Sequence, residues 1–431
     1  MYPDLSYLMH DIFGTEPDNF FSIFKTFGVM LVLAILTAAW FLYKELKRRA
    51  DIGIFTPTKV KVIEGLPAKP LEIVSNAIFG FLLGFKGVYV AQHFAEFQAD
   101  AGEVLLSMKG NWIAGIVGAG IFGYLRYWEK KKKELPKPKE VIDFVYPHDR
   151  IGDLTIVAAI TGILGAKFFA VVESGPAFWQ APIETFFSGS GLAIYGGMIG
   201  GFLGLVWYLR KYNIPFWHVM DGVAVGYIIA VGVGRIGCQL SGDGDWGIVA
   251  AAQPEWWIFP EWLWSYTYPN NVNNDGGAGG FMSGLMANVD VECAQAALQE
   301  FRSGGLTSNE VNQICYKCSG VNYCHELKEP VYPTPIYETV MLVGMGLILW
   351  AFRKRWTIIP GLLFFVTIIL NGIERWFIEK IRVNVEFMNT GMTQAELISI
   401  GMVIAGFFGF VSLKILRTKV RGYIKKAPPR I

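Results

Sequence analysis

Apolar residues in this sequence fall into long, unbroken blocks separated by short polar connectors. Nine blocks have roughly the length that crosses a bilayer as a helix, about 20 residues. They run at about 20–43, 71–92, 110–128, 152–172, 191–209, 217–237, 335–352, 358–377 and 396–414. The pattern predicts an all-α polytopic membrane protein with about nine transmembrane helices. Composition agrees: of 431 residues, 53% are hydrophobic and 17% charged, and the mean hydropathy is +0.37. A soluble enzyme of this length carries more charge. Residues 1–19 are acidic and polar with no basic leader, so no cleavable signal peptide is expected.

The net charge of +2 hides a strong sorting by loop. Basic residues follow the odd-numbered blocks: Lys44, Lys47, Arg48 and Arg49; Arg126 and Lys130 to Lys139; Arg210 and Lys211; Arg353 to Arg355; and the tail from Lys414 to Lys426. The intervening loops hold few. The positive-inside rule then places the N-terminus outside and the C-terminus in the cytoplasm. Residues 44–70 and 129–151 read as cytoplasmic linkers, the second (EKKKKELPKPKE) as a solvated tether against the lipid surface.

Three regions follow. Residues 1–247 hold spans one to six, 248–333 form an extracytoplasmic insertion, and 334–431 hold spans seven to nine and a basic cytoplasmic tail. The insertion opens with Trp256, Trp257, Trp262 and Trp264, passes through the turn-rich NNVNNDGGAGG, and carries Cys293, Cys315, Cys318 and Cys324. Four cysteines in an oxidising compartment predict two disulfides, in any of three pairings. A CxxC redox pair at Cys315/Cys318, or a zinc site using His325, is the alternative. LEIVSNAIFGFLLGFK at 71–86 and LTIVAAITGILGAK at 154–167 are alike, and each precedes a glycine-rich span. The hairpin 71–128 is therefore either a duplicate of 152–209 or a pair similar by composition alone.

Candidate chemistry gathers at one depth. Arg235 ends the sixth span in GRIGCQLSGDGDWG, Tyr337 and Glu338 open the seventh in YPTPIYE, and Arg375, Glu379 and Arg382 close the eighth in GIERWFIEKIR. Tyr195 opens the fifth, in YGGMIGG. Arg375 and Glu379 stand four apart on one helix face, which Arg382 continues. Intramembrane arginines face partners inside a bundle, and a guanidinium grips a phosphate through two parallel hydrogen bonds. A glycine turn adds exposed backbone N–H groups. The bland reading is an Arg–Glu pair that fastens helices together. Asp221 starts the sixth span at the opposite, inner end.

These four motifs, in this order, resemble bacterial prolipoprotein diacylglyceryl transferase, whose patterns are close to GRxGNFxNxExxG, HGGxxG, HPxQLYE and GxxRFxxEFxR. The chain reads as a diverged member with an outer insertion and an extra helix hairpin. The resemblance implies transfer of diacylglyceryl from phosphatidylglycerol to the lipobox cysteine thiol of a prolipoprotein. A thioether forms and glycerol phosphate leaves, in the outer leaflet of the bacterial inner membrane. The partners implied are phosphatidylglycerol, the prolipoprotein signal peptide and the membrane, with no nucleic acid, cofactor or metal. Arg235, Arg375 and Tyr195 take the catalytic positions. Gly196, Gly197, Gly234, Gly237, Cys238, Asp243, Tyr337, Glu338, Glu379 and Arg382 take the substrate-binding ones.

Departures from the pattern are specific. Tyr195 stands for the family's histidine, Cys238 for its asparagine, Phe27 for a first-span tyrosine and Tyr332 for the histidine of the seventh-span motif. The signature glutamate is matched loosely by Asp243 or Asp245. A histidine base is therefore in doubt, and His93, near the outer side of the second span, is a lesser candidate to supply one. Two other classes compete: a polytopic phospholipid-binding or transport protein that keeps the phosphate pocket without the chemistry, and an outer-face scaffold built on the insertion.

Overall fold

A computed structural model describes residues 1–94, 97, 104, 107–174, 194–272, 293, 316–318, 323–324, 326–383 and 391–426. Cys315, His325, most of the 270–280 glycine stretch and the start of the block predicted from 191 lie outside them. The described chain is mostly helical. We number the helices α1 (Leu5–Phe13), α2 (Thr26–Asp51), α3 (Pro70–Gln92), α4 (Trp112–Lys132), α5 (Ile151–Ser174), α6 (Ile194–Lys211), α7 (Phe216–Ser241), α8 (Thr334–Trp356), α9 (Leu362–Glu379) and α10 (Gln394–Lys426). Each of the nine predicted blocks overlaps a long helix over its described residues. Among the described residues, six segments are long and apolar enough to cross a membrane: α2, α3, 147–172, α7, α8 and 394–413. Their outward faces carry large apolar side chains such as Leu36, Leu82, Ile163, Ile348 and Phe408, the distribution expected of a polytopic protein in lipid.

The chain packs as two units, 1–46 with 215–431 and 47–214. In the first unit α7 is the central helix. Of its apolar window 56% is buried, against 6% for the 147–172 segment in the other unit. Val225, Ile228 and Ile229 pack there with Leu342 and Leu349 of α8 and Leu363 of α9. Glycines set the spacing, as small residues do where helices meet in lipid. A β-carbon at Gly226 would come within 2.8 Å of the Ala38 carbonyl oxygen of α2, and one at Gly237 within 2.9 Å of Met30.

Asp221, fully buried, links α7 to the start of α9. Its Oδ2 accepts from the Gly361 amide at 3.0 Å and its Oδ1 from the Phe364 amide at 3.1 Å. Gly361 has φ 92°, left-handed backbone that suits glycine. The α9 N-terminus thus takes its cap from another helix, satisfying amides that lack an intrahelical partner.

The second unit holds two hairpins, α3 with α4 and α5 with α6, both closed glycine to glycine. β-Carbons at Gly80 or Gly118 would overlap the other residue's carbonyl, as would those at Gly165 and Gly196. An acidic residue in the first turn ties each pair together. Glu72 bonds Arg126 at 3.1 Å and Lys130 at 3.2 Å, and the Tyr208 hydroxyl donates to Asp153 at 2.9 Å. The two linkers are not simple tethers. Residues 58–64 (β1) and 139–145 (β2) pair antiparallel, Thr58 opposite Val145 and Glu64 opposite Lys139, with Lys61 3.6 Å from Glu140. The alternation in TKVKVIE is a strand pattern.

Two features extend the first unit beyond its long helices. Helix α1 is capped by Asp4 and ended by Gly14 at φ 68°. The two stems of the insertion return to the bundle and pair with each other: Tyr266 and Val331 exchange amide bonds of 3.0 Å, and Trp246, Tyr268 and Val331 form a small core. Cys293 is bonded to Cys318, not to Cys318's CxxC neighbour, and Cys324 is also disulfide-bonded.

Replacing Asp221 by Ala leaves two amides at the α9 start without acceptors, a loss of about 1–3 kcal/mol. A lower melting temperature of the purified protein in detergent is expected, with a smaller loss for Asp221→Asn.

Candidate active site

Arg235 lies in the last two turns of α7, Glu338 in the first turns of α8, and Arg375 and Glu379 in the last turns of α9. Each helix delivers its charged residue at the same end of the first unit, so the groups converge. Glu338, only 2% exposed, is the hub. Its Oε2 is 2.6 Å from Arg235 Nε, and its Oε1 lies 3.3 Å from Arg382 and 3.7 Å from Arg375. Asp245 forms a second bridge, bonding Arg235 through one oxygen and Arg382 through the other. Glu379 holds Arg375 at 3.1 Å and accepts from the Thr393 hydroxyl at 2.7 Å.

Two left-handed glycines make this geometry possible. Gly242, φ 66°, ends α7 with its amide on the Cys238 carbonyl, and Gly244 has φ 99°. The chain doubles back there and aims Asp245 at Arg235. The Thr334 hydroxyl then donates to the Asp245 carbonyl at 2.7 Å. Arg382 is fixed through its backbone: Gly247 and Arg382 form an isolated antiparallel bridge, and the Ile248 amide donates to Ile381 at 2.8 Å.

Of the two aspartates that could stand for the signature acid, Asp245 meets the arginines. Asp243 instead accepts from the Asp245 amide at 3.3 Å. Their environments push the carboxyls apart. Burial raises Asp243 above the ordinary 3.8, and the neighbouring Asp245 charge adds to this. Burial also opposes ionisation of Asp245, but Arg235 and Arg382 outweigh it, and its carboxyl lies below 3.8. The Cys238 sulfur and oxygens of both aspartates lie within 4.8 Å of one another. Both Asp245 oxygens already hold guanidinium groups.

The other residues singled out from the sequence are placed less directly. Cys238 is buried, its sulfur 3.9 Å from Arg235. Gly237 faces α2, where a β-carbon would stand 3.4 Å from Phe27, and Gly234 faces open space. The Tyr337 hydroxyl donates to the Leu263 carbonyl at 2.8 Å, tying α8 to the insertion. Tyr195, Gly196 and Gly197 belong to the first turns of α6 in the second unit, where Gly196 and Gly197 pack on α5. His93 ends α3, exposed, with its ring stacked on Tyr89 at 4.2 Å. Two partners were missed by sequence reasoning: Thr393, and Glu374, a buried acid directly before Arg375. An ionisable residue inside an apolar span is itself a signal, and Glu374 carries it.

Comparison with known proteins settles the family. The model described as prolipoprotein diacylglyceryl transferase matches residues 113–412, more than two thirds of the chain. The chain belongs to this family. Phosphatidylglycerol–prolipoprotein diacylglyceryl transferase of Staphylococcus haemolyticus is 25% identical over 304 residues, 70% of this chain and 82% of that protein. The Clostridioides difficile enzyme is 26% identical over 266 residues, 62% and 79%. A second such transferase of Clostridium perfringens is 37% identical over 98 residues, 22% of this chain and 38% of that protein. The shorter alignment thus spans well under half of that relative, and the longer ones about four fifths of theirs.

Glu338→Gln removes the shared partner of three arginines. Breaking a buried ion pair from one side costs about 3–5 kcal/mol, so a large fall in melting temperature in detergent is expected. Asp245→Asn has a pH signature. Its carboxyl is depressed in the folded chain, so the stabilisation is complete above about pH 3.8 and is lost as pH falls further, through the folded value. The wild-type advantage over Asp245→Asn in melting temperature is therefore constant from neutral pH down to the carboxylate range and shrinks below it.

Proposed function

We propose that the chain transfers the diacylglyceryl group of phosphatidylglycerol to the lipobox cysteine thiol of a prolipoprotein, forming a thioether and releasing glycerol phosphate. The observation that carries this reading is the meeting of Arg235 and Arg375, from different helices, around one buried carboxylate, with Nη1 of Arg375 buried and without a hydrogen-bond partner. An unfilled guanidinium N–H beside two further arginines suits the phosphodiester of a lipid. Family membership and the names of the relatives favour transfer over a lipid-binding or transport protein without the chemistry.

The chemistry asks for two things. Sulfur must displace a phosphate ester from a glyceryl carbon, and the charge that gathers on the leaving phosphate must be met in a dry site. Preorganised cations do this best. Glu338, Asp245 and Glu379 hold the guanidinium groups in position before substrate arrives, and Arg235 and Arg375 then face the phosphate. For Tyr195, Gly196 and Gly197 a substrate contact is proposed from the sequence pattern alone. A phenol donates a hydrogen bond well and is a poor base at neutral pH, its pKa being about 10.

In this reading all nine long helices cross the bacterial inner membrane. The N-terminus and the disulfide-bonded insertion stand outside, and the basic tail and the β1–β2 ribbon stand in the cytoplasm. The hairpins α3–α4 and α5–α6 share a glycine-to-glycine seam and an acidic tie, which supports their origin by duplication.

The test is turnover of labelled phosphatidylglycerol with a lipobox peptide by the purified chain. Thioether product is expected, and Arg235→Ala and Arg375→Ala should each lower the rate by about a hundredfold or more, the scale for removing one preorganised charge-stabilising group. Unchanged turnover in both variants would refute the reading.

A further inference from the structure

The reaction needs a proton acceptor, since only a few per cent of a free thiol is ionised at neutral pH. The position that carries a histidine in the family pattern is Tyr195 here. The carboxylates of the arginine cluster are occupied. Glu338 faces Arg235, Arg375 and Arg382, Asp245 bonds Arg235 and Arg382, Glu379 holds Arg375 and Thr393, and Asp243 accepts the Asp245 amide.

Glu374 differs. It is 5% exposed, and its Oε1 is buried with no hydrogen-bond partner. It belongs to α9, one residue before Arg375. The charged and titratable groups that act on it are Glu338, Arg375, Arg235 and Arg382, with Tyr227 of α7 beside it. A buried carboxylate oxygen left without a donor is costly, and native proteins rarely keep one without use.

We propose that Glu374 is the general base of the transfer, an inference that rests on the function proposed above. The cysteine S–H gives its proton to Glu374 Oε1 as sulfur forms its bond to the glyceryl carbon. The carbon–oxygen bond to the phosphate breaks, and its electron pair leaves on glycerol phosphate, facing the arginines. Glu374 then returns the proton to that phosphate, and the carboxylate is restored.

A base can be bypassed by a nucleophile that is already ionised. Lipobox peptides carrying cysteine or selenocysteine are compared, because a selenol is largely selenolate at neutral pH. With the cysteine peptide, Glu374→Gln and Glu374→Ala should lose about a hundredfold or more, the usual scale of general-base catalysis, while Glu374→Asp keeps part of the rate. With the selenocysteine peptide, Glu374→Gln should come within a few-fold of wild type, which also shows that the variant is folded. Equal losses on both peptides, or full activity on the cysteine peptide, would overturn the base assignment. A wild-type chain inactive on the cysteine peptide would sink the transferase reading itself, and the base with it.

Discussion

One carboxylate, Glu338, holds three guanidinium groups in a place where none of them could stay alone. A charge taken out of water costs several kcal/mol even after relaxation, and only close, well-formed pairing offsets it. Arg235 on α7, Arg375 on α9 and Arg382 just beyond α9 all draw on Glu338 of α8. This one side chain therefore fixes where three chain segments end relative to each other. Much of the surrounding detail serves the same requirement: the Gly242–Gly244 turn that brings Asp245 round, the Gly247–Arg382 bridge, and Thr393 on Glu379.

Arg235, Arg375 and Arg382 are ion-paired with Glu338, Asp245 and Glu379, so any anion entering the cluster competes with resident carboxylates. The competition is uneven. Glu338 and Glu379 are almost fully buried, whereas the Asp245 side chain is 30% exposed and sits on a glycine-flanked turn. Of the three carboxylates, Asp245 is therefore the one most open to an incoming anion. The arrangement keeps the cations ordered when the site is empty, which is what preorganisation requires.

The long helices were legible because lipid imposes a crude rule: about 20 apolar residues in a row have few other fates. The arginine cluster was legible because ionisable residues are scarce in such blocks and the topology places their ends together. What escaped was set at finer scale. Asp243 and Asp245 are equivalent in sequence, and only the two left-handed glycines decide which meets Arg235. The Tyr337 hydroxyl found a carbonyl of the insertion, a pairing across more than seventy residues that no spacing reveals. The β1–β2 ribbon carries a two-residue alternation, but its lysines fit a solvated charged tether equally well. Helix α1 has an aspartate cap and a terminal glycine, yet it is too short for a bilayer criterion to find it. Glu374 is adjacent to Arg375 in sequence, and its spacing does not distinguish it from an acid that pairs with an arginine.

The ribbon has an architectural consequence. Thr58 and Val145 stand opposite each other, so α3 and α4 leave the chain and rejoin it through a single doorway. A segment whose two ends already touch can be lost, gained or exchanged without dragging its neighbours apart, as loop closure there has been settled in advance. The α3–α4 pair is built like a cassette: a stretch of membrane-embedded protein that evolution, or an engineer, could lift out and replace by a short turn while the rest of the chain keeps its course.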